Sequence, residues 1–168
     1  MSLRIRRFAP GDRASLVQVI DEVCGEGRWM RTSRFEPTPA WAHALDDTVC
    51  RDHLLLVAVD GGRVVGWCRT FPAACAREEE TASLGIGLLR AYRDQGLGTR
   101  MVARSLDWAR AQGLRAVALT TTPDNARAIR VFTHCGFALT GLEQEGAVEM
   151  ICDLSLYYKG VDAREHNT

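Results

Sequence analysis

The sequence predicts an α/β fold in which helices cover one mixed β-sheet. A strong hairpin signal lies at Asp60-Gly61-Gly62, because this turn separates two apolar, strand-like runs. Two stripes of apolar residues at helical spacing begin near Leu97 and Asn125, and a short apolar run lies between them. Strand-like and helix-like segments therefore alternate in the second half of the chain, as expected for helices packed on a sheet.

The predicted elements follow the order β-α-(α)-β-β-β-α-β-α-β-β. The predicted strands cover residues 3–8, 53–59, 64–67, 81–89, 116–119, 137–142 and 147–154. The predicted helices follow a cap at Asp12, cover residues 41–49, run from Leu97 to a stop at Gly113, and run from 122–124 to a stop at Gly136. Proline near a helix start and glycine just past a helix end are the usual boundary signals. Residues 24–39 and 72–80 lack a regular period and are predicted to be loops.

Composition limits the classes of function. The chain has 168 residues, 46% of them hydrophobic, which predicts one domain over residues 1–156 with a loose tail over 157–168. The formal net charge is zero, which argues against nucleic acid or an anionic membrane as a partner. No apolar run approaches the roughly 20 residues that span a bilayer, and residues 1–8 lack the apolar core of a signal peptide. We expect a cytoplasmic protein, and the sequence is compatible with a homodimer.

The cysteines and histidines do not suggest a metal centre. Six cysteines are scattered at positions 24, 50, 68, 75, 135 and 152, with no Cys-x-x-Cys pair. Several lie in apolar runs, which favours free buried thiols in a reducing cytoplasm over disulfides or zinc. His43 and His53 stand isolated in the sequence, so no metal is expected.

One glycine-containing segment predicts a phosphate site. The segment between a predicted strand and a predicted helix is Arg93-Asp94-Gln95-Gly96-Leu97-Gly98-Thr99. Two glycines leave the backbone bare there, and the following helix adds the positive end of its dipole, so N–H groups can bind an anion. Neither common nucleotide loop fits, because a P-loop needs Gly-Lys-Ser/Thr and a dinucleotide loop needs a glycine at Met101. A plain strand-to-helix turn is the alternative interpretation.

With a second motif, the chain resembles the GNAT superfamily of acyl-CoA N-acyltransferases. The first family motif, Arg/Gln-x-x-Gly-x-Gly/Ala, is matched by Arg93, Gly96 and Gly98. The second, Asn-x-x-Ala…Tyr…Gly-Phe, is similar to residues 125–132 followed by 136–137. The resemblance covers nearly the whole chain and is strongest over about 84–141. It implies a mostly antiparallel central sheet of about seven strands flanked by about four helices, with a splay between the fourth and fifth strands.

The resemblance implies acetyl-CoA as co-substrate and no metal. In the family, the strand before the phosphate loop pairs with the pantetheine arm of coenzyme A, which here would involve Ile86, Gly87 and Leu88. The resemblance also assigns a part of the coenzyme site to Asn125, Ala128 and Phe132. Asn125 has an alternative role as a cap of its helix, and Gly87 as a simple strand bulge.

The implied reaction is direct transfer of an acetyl group to the primary amine of a small-molecule or amino-acid-like acceptor. Many members carry a Tyr, which protonates the leaving thiolate, where this chain has Phe132. The family's usual positions for a general base hold Ser83 and its neighbours in one strand and Thr120 in the next. These hydroxyls are poor bases but could hold a water, and Glu80 and Glu149 are the alternatives.

The acceptor end and the function each leave alternatives open. Trp29 and Phe35 lie in the irregular segment before the predicted second helix and are predicted to line the acceptor pocket, or to pack that loop on the core. Because the usual acid and base are missing, a non-catalytic acyl-CoA-binding or sensing module is an alternative. A protein N-terminus or lysine is an alternative acceptor.

Overall fold

The computed structural model describes residues 2–72 and 80–155, so the predicted tail and most of the loop before residue 80 lie outside the described residues. The strands are β1 (Arg4–Arg7), β2 (Leu54–Asp60), β3 (Arg63–Pro72), β4 (Thr81–Leu88), β5 (Ala116–Thr121), β6 (Ala138–Gln144) and β7 (Ala147–Asp153). The α-helices are α1 (Arg13–Gly25), α2 (Pro39–Asp46), α3 (Leu97–Ala111) and α4 (Ala126–His134).

The strands form one seven-stranded sheet in the order β1-β2-β3-β4-β5-β7-β6. Every neighbouring pair is antiparallel except β4 and β5, which are parallel. Their pairing covers Thr81–Ser83 against Ala116–Ala118, and beyond it β4 continues to Leu88 with none of the described strands on that side. The predicted mixed, mostly antiparallel sheet with a splay between its fourth and fifth strands is confirmed.

The core is built by α1 and α3 on the central strands. Leu16 and Val19 of α1 and Met101 and Val102 of α3 are fully buried. The helices contact the strands around the splay, since α1 packs on β3 and β4, and α3 packs on β2 to β5. Both helices therefore support the strand edge at which the sheet opens.

No helix in the described ranges is both long enough and apolar enough to cross a membrane.

Three predicted boundaries were wrong for local reasons. The second helix begins at Pro39, because the Thr38 hydroxyl accepts the Trp41 N–H at 3.3 Å and Pro tolerates the first helical turn. The fourth helix begins at Ala126 rather than at 122–124, because Asn125 is its cap. The third strand runs on to Pro72 rather than ending at residue 67, since buried side chains continue along it.

Candidate active site

The loop predicted to bind phosphate, residues 93–99, leads directly into α3. Gly96 caps this helix at φ 76°, a left-handed conformation that favours glycine. The first N–H groups of a helix have no partner within it, so those near Leu97 and Gly98 are available to a ligand. A Cβ on Gly98 would lie 3.7 Å from Leu88 Cδ1 and 3.9 Å from Ile86 Cδ1, which is ordinary contact. Packing alone therefore does not require glycine at position 98.

A cavity of about 360 Å³ lies beside this loop and is rich in arginine. Its charged lining residues are Arg28, Arg90, Arg93, Arg127, Glu26 and Asp94. Four positive and two negative side chains leave an excess of positive charge, which suits a phosphate. The carboxylates are occupied by two of the arginines, since Asp94 pairs with Arg127 at 2.9 Å and Glu26 pairs with Arg93.

Arg93 has a structural role that its motif did not suggest. Its Nε donates to the Leu88 carbonyl at 2.9 Å, and its two terminal nitrogens donate to the Glu26 carboxylate. The guanidinium thus ties the end of β4 to the end of α1. Contact between Arg93 and phosphate stays a prediction. Because the Arg93 nitrogens already donate to protein groups, the backbone N–H groups of the loop are more available to a phosphate.

A second cavity, of about 990 Å³, follows the splay from the loop to the region around α2. Ile86, Gly87 and Leu88 line it, and beyond Ser83 the β4 edge pairs with no strand of the described ranges on the β5 side. An extended ligand with amide groups can therefore pair with that edge as another strand would. A Cβ on Gly87 would come within 2.2 Å of the Trp67 ring, so the packing of Trp67 itself requires this glycine.

The second motif lines the same cavity and also shapes α4. The Asn125 side-chain oxygen accepts the Ala128 N–H at 3.4 Å, and its amide nitrogen donates to the Thr121 hydroxyl at 3.3 Å. The capping role expected as the alternative is therefore present. Phe132 is buried, its ring centroid lies 5.8 Å from that of Phe137, and it reaches the cavity wall beside Ala128. Phe132 is a core residue and a cavity residue at once.

The candidate acid–base residues separate into two groups. Ser83, Thr120 and Glu149 all line the large cavity. Thr120 and Glu149 are direct partners across β5 and β7, so their side chains are neighbours on the sheet. Glu80 is not part of that wall, because its carboxylate pairs with Arg115 and its carbonyl accepts the Arg115 N–H. Glu149 thus lies opposite Thr120, two residues beyond the point where β5 stops pairing with β4.

The end of the cavity towards α2 is aromatic. Trp29 and Phe35 both line the large cavity, and Trp29 also lines the arginine-rich cavity beside the phosphate loop. Their contact with an acceptor stays a prediction. Phe35 also packs edge-to-face on Trp41 at 5.4 Å, and Trp41 packs on Phe71 at 5.3 Å, so lining the pocket and packing the loop are the same arrangement. Sequence reasoning missed Trp41 and Phe71, whose only signal was their position beside a predicted loop.

Arg69 adds a positive charge to the wall of this cavity, which also includes Arg31 and Glu36. It lines the large cavity, and its guanidinium carbon lies 5.1 Å from the centroid of the Phe71 ring. A Cβ on Gly85 would come within 2.9 Å of Arg69 Nε, so that glycine makes room for the side chain. Burial lowers the pKa of Arg69 from its ordinary value, and none of the ion pairs among the described residues includes it. An arginine within a buried strand was the signal that sequence reasoning overlooked.

The described cysteines are free thiols, as expected, but the two histidines expected to be isolated lie together. The five cysteines in the described parts of the chain are free thiols, and burial raises the pKa of Cys68 to about 12. The isolation expected of His43 and His53 is wrong. Their ring centroids lie 5.2 Å apart, because the chain between them folds back at the end of α2.

Several solved structures share this fold. They include yncA of Salmonella typhimurium with its cofactor acetyl-CoA (19% identity, 92% of this chain and 95% of that one, TM-score 0.77). A phosphinothricin acetyltransferase from Sinorhizobium meliloti in complex with acetyl-CoA is 19% identical over 91% of this chain and 89% of that one (TM-score 0.76). A GCN5-related N-acetyltransferase from Kribbella flavida is 23% identical over 90% and 98% (TM-score 0.76).

The sequence itself matches a family model. That model is described as the acetyltransferase (GNAT) family, and it matches residues 20–137, which include the phosphate loop, the splay and the second motif. The sheet with its splay and the arginine-rich loop at its edge agree with this match. The chain therefore belongs to the GNAT family of acetyltransferases.

Proposed function

We propose that the protein transfers the acetyl group of acetyl-CoA to the primary amine of a small acceptor that also carries a carboxylate. The observation that carries the acceptor class is Arg69, a guanidinium in the cavity wall without an ion-pair partner among the described residues. A buried cation favours an anion opposite it, and arginine binds carboxylates in a two-pronged arrangement. Amino acids and their analogues have this combination of amine and carboxylate.

Coenzyme A fits the rest of the cavity by its chemistry. Its phosphates match the helix N-terminus at Gly98 and the excess positive charge of Arg28 and Arg90. Its pantetheine amides match the open edge of β4. Two solved structures of the same fold contain acetyl-CoA, which supports the choice of this ligand.

The reaction is a direct displacement. The amine nitrogen forms a bond to the thioester carbon, the carbonyl oxygen gains charge, and the C–S bond then breaks to release the thiolate of coenzyme A. A backbone N–H on the open edge of β4 near Leu88 stabilises the oxygen. Glu149 takes the proton of the amine, directly or through a water at Thr120. A cysteine thiol has a reference pKa of about 8.5, and by analogy the thiolate of coenzyme A is stable enough for water to protonate it without help from residue 132.

The experiment compares acceptors that differ only in the carboxylate. Amino acids, their methyl esters and their decarboxylated amines are assayed with acetyl-CoA, and acetylated product is detected by mass. Phosphinothricin belongs in the panel because two proteins of this fold carry that substrate in their names. We expect the acids to be preferred. Equal acetylation of acids and esters would contradict the proposed acceptor class.

Arg69→Gln tests the residue itself. Loss of a charged hydrogen bond of about 1.5–3 kcal/mol should lower kcat/KM for the acids by about ten- to a hundredfold. The same variant should change kcat/KM for the esters little. Arg4→Gln, on an exposed side chain of β1, is the matched control and should leave all acceptors unchanged.

A non-catalytic acyl-CoA-binding module is the second candidate, and Phe132 is the observation that favours it. A chain without a positioned acid could bind acetyl-CoA and release no thiolate. Single-turnover measurement of free thiol with a saturating acceptor panel separates the two functions. Tight binding of acetyl-CoA with no thiol released above the rate of hydrolysis would favour the binding module.

A further inference from the structure

Four side chains of types that bind metal ions converge where α2 ends and β2 begins. His43 lies on α2, and Cys50, Asp52 and His53 lie in the short segment that follows it. One ligand atom from each residue lies within 4.8 Å of the corresponding atoms of the other three. No residue of this group lines the acetyl-transfer cavity, so the cluster is separate from the site described above.

Three of the four groups contact the Asp52 carboxylate. Asp52 Oδ1 lies 2.8 Å from Cys50 Sγ, 2.9 Å from His53 Nδ1 and 3.3 Å from His43 Nε2. In a tetrahedral zinc site with bonds of about 2.0–2.3 Å, neighbouring ligand atoms lie about 3.3–3.8 Å apart. Shifts of about 1 Å would therefore convert this hydrogen-bonded cluster into a coordination shell.

We propose that His43, Cys50, Asp52 and His53 bind a zinc ion. Thiolate and imidazole ligands together select zinc over magnesium or calcium, which prefer oxygen ligands alone. A thiolate and a carboxylate balance the charge of Zn²⁺, while both imidazoles stay neutral. This balance suits the position, because His53 is only 5% exposed, while the side chains of His43 and Asp52 are 45% and 55% exposed and leave the site open to an ion from solvent.

A turn fixed by the Asp47 side chain positions Cys50 near the other three residues of the cluster. Asp47, which follows α2, accepts the N–H groups of Val49 at 3.2 Å and Cys50 at 3.0 Å through its carboxylate. These bonds form the turn that brings Cys50 back towards His43. A site arranged in this way loses little chain entropy when the ion binds.

Four protein ligands leave no open position for a reacting water, so the zinc is structural. It joins the end of α2 to the start of β2. The ring of His53 packs edge-to-face on Phe71, at 6.1 Å between centroids, and Phe71 packs on Trp41. Zinc therefore steadies the aromatic wall of the large cavity without taking part in acetyl transfer.

Metal content is the first test. The full chain is produced without a polyhistidine tag, equilibrated with zinc, desalted and analysed by mass spectrometry of the elements. We expect roughly one zinc ion per chain, and background levels in His43→Asn and in Cys50→Ser. His134→Asn and Cys135→Ser, which remove the same chemical groups outside the cluster, should keep the ion. A wild-type protein at background, or cluster variants that retain zinc, would overturn the proposal.

Substitution of zinc by cobalt reports the coordination geometry of the site, and folding of the variants is checked separately. Co²⁺ in this site should show the intense visible bands of a tetrahedral ion and a thiolate charge-transfer band, and Cys50→Ser should lose the latter. A weak octahedral spectrum would refute the site. His43 is exposed on α2, so its Asn variant is expected to fold, which circular dichroism verifies. Chelator should lower the Tm of the zinc-loaded wild type and leave that of His43→Asn unchanged.

Discussion

Arg93 and Glu26 form a two-pronged ion pair that joins the phosphate loop to the end of α1. The two N–O distances are 3.0 and 2.6 Å, and the side chains are only 10% and 25% exposed. The arginine of the family motif thus fixes the position of the loop, in addition to any contact with phosphate. A residue 67 positions away in the sequence holds it.

This pair predicts a pH dependence of stability. The hydrogen bonds from Arg93 hold the pKa of Glu26 below its ordinary value of 4.5. A lowered carboxyl pKa stabilises the folded state above the ordinary value, and this contribution is lost as the pH falls below 4.5 through the folded pKa. Glu26→Gln should therefore lower the free energy of unfolding at pH 7 by about 1 kcal/mol, and the difference should shrink in acid.

Urea denaturation at a series of pH values measures this difference. Glu22→Gln is the control, because Glu22 lies in the last part of α1, close to Glu26, but pairs with Arg63 at 3.4 Å with both side chains more than half exposed. We expect almost no effect from it. An effect of Glu26→Gln that stays constant from pH 7 to well below 4.5 would contradict the role of the ion pair.

Gly98→Asp should weaken coenzyme A. The new carboxylate would face the pyrophosphate at the helix N-terminus, and a repulsion of about 1–4 kcal/mol predicts a loss of about tenfold or more in affinity. Folding should survive, because an acidic residue in the first helical turn is favourable. Gly98→Ala is the matched control, since its methyl group meets only ordinary contacts of 3.7 Å or more. Calorimetry with both variants decides, and unchanged affinity in the Asp variant would remove the loop from the site.

Glu149→Gln should remove the general base. We expect kcat to fall by about 10²–10⁴-fold and the acidic limb of its pH profile to disappear, with little change in the affinity for acetyl-CoA. Glu143→Gln, on the exposed neighbouring strand, is the control and should keep full activity. Steady-state assays over a pH range measure both. A Glu149→Gln enzyme with an unaltered profile would assign the proton to another group.

Phe132→Tyr places a hydroxyl where the family carries its acid. Because the leaving thiolate is already stable, the gain in kcat should stay below about tenfold, and coenzyme affinity should not change. If the hydroxyl finds no partner beside Phe137, the variant should lose about 1–3 kcal/mol of stability. Turnover and Tm are measured on one preparation. Lower stability with unchanged turnover would show that residue 132 serves only the core.

Sequence reasoning recovered the fold because its signals are local. The Asp60-Gly61-Gly62 turn, the apolar stripe from Leu97 and the two motifs each fix one element, and the element order leaves few arrangements of the sheet. The boundaries failed where a side chain decides them, as Asn125 does for α4. Such caps compete with neighbouring Thr, Pro and Asp in the sequence, and only the folded geometry selects one.

The two ends of the cavity differ in how much of their lining the sequence analysis named. At the acceptor end it named Trp29 and Phe35 but not Trp41, Arg69 or Phe71. The phosphate loop is contiguous in sequence, so its glycines could be recognised together. The acceptor end is assembled from separate elements, with Trp41 on α2 and Arg69 and Phe71 on β3. No spacing links these residues. His43 and His53 illustrate the same point, because a turn brings together groups that the sequence separates.

The short junction between β4 and β5 also bears on how the chain folds. β2, β3 and β4 follow one another along the chain as antiparallel neighbours, and β5, β6 and β7 form a second group of consecutive strands. Among the described strands, the two groups pair through Thr81–Ser83 and Ala116–Ala118, which are separated along the chain by α3. Local pairings close smaller loops and form sooner, so we expect each group to form early and their docking to come late. The groove for the ligand would then be the last part of the native structure to appear.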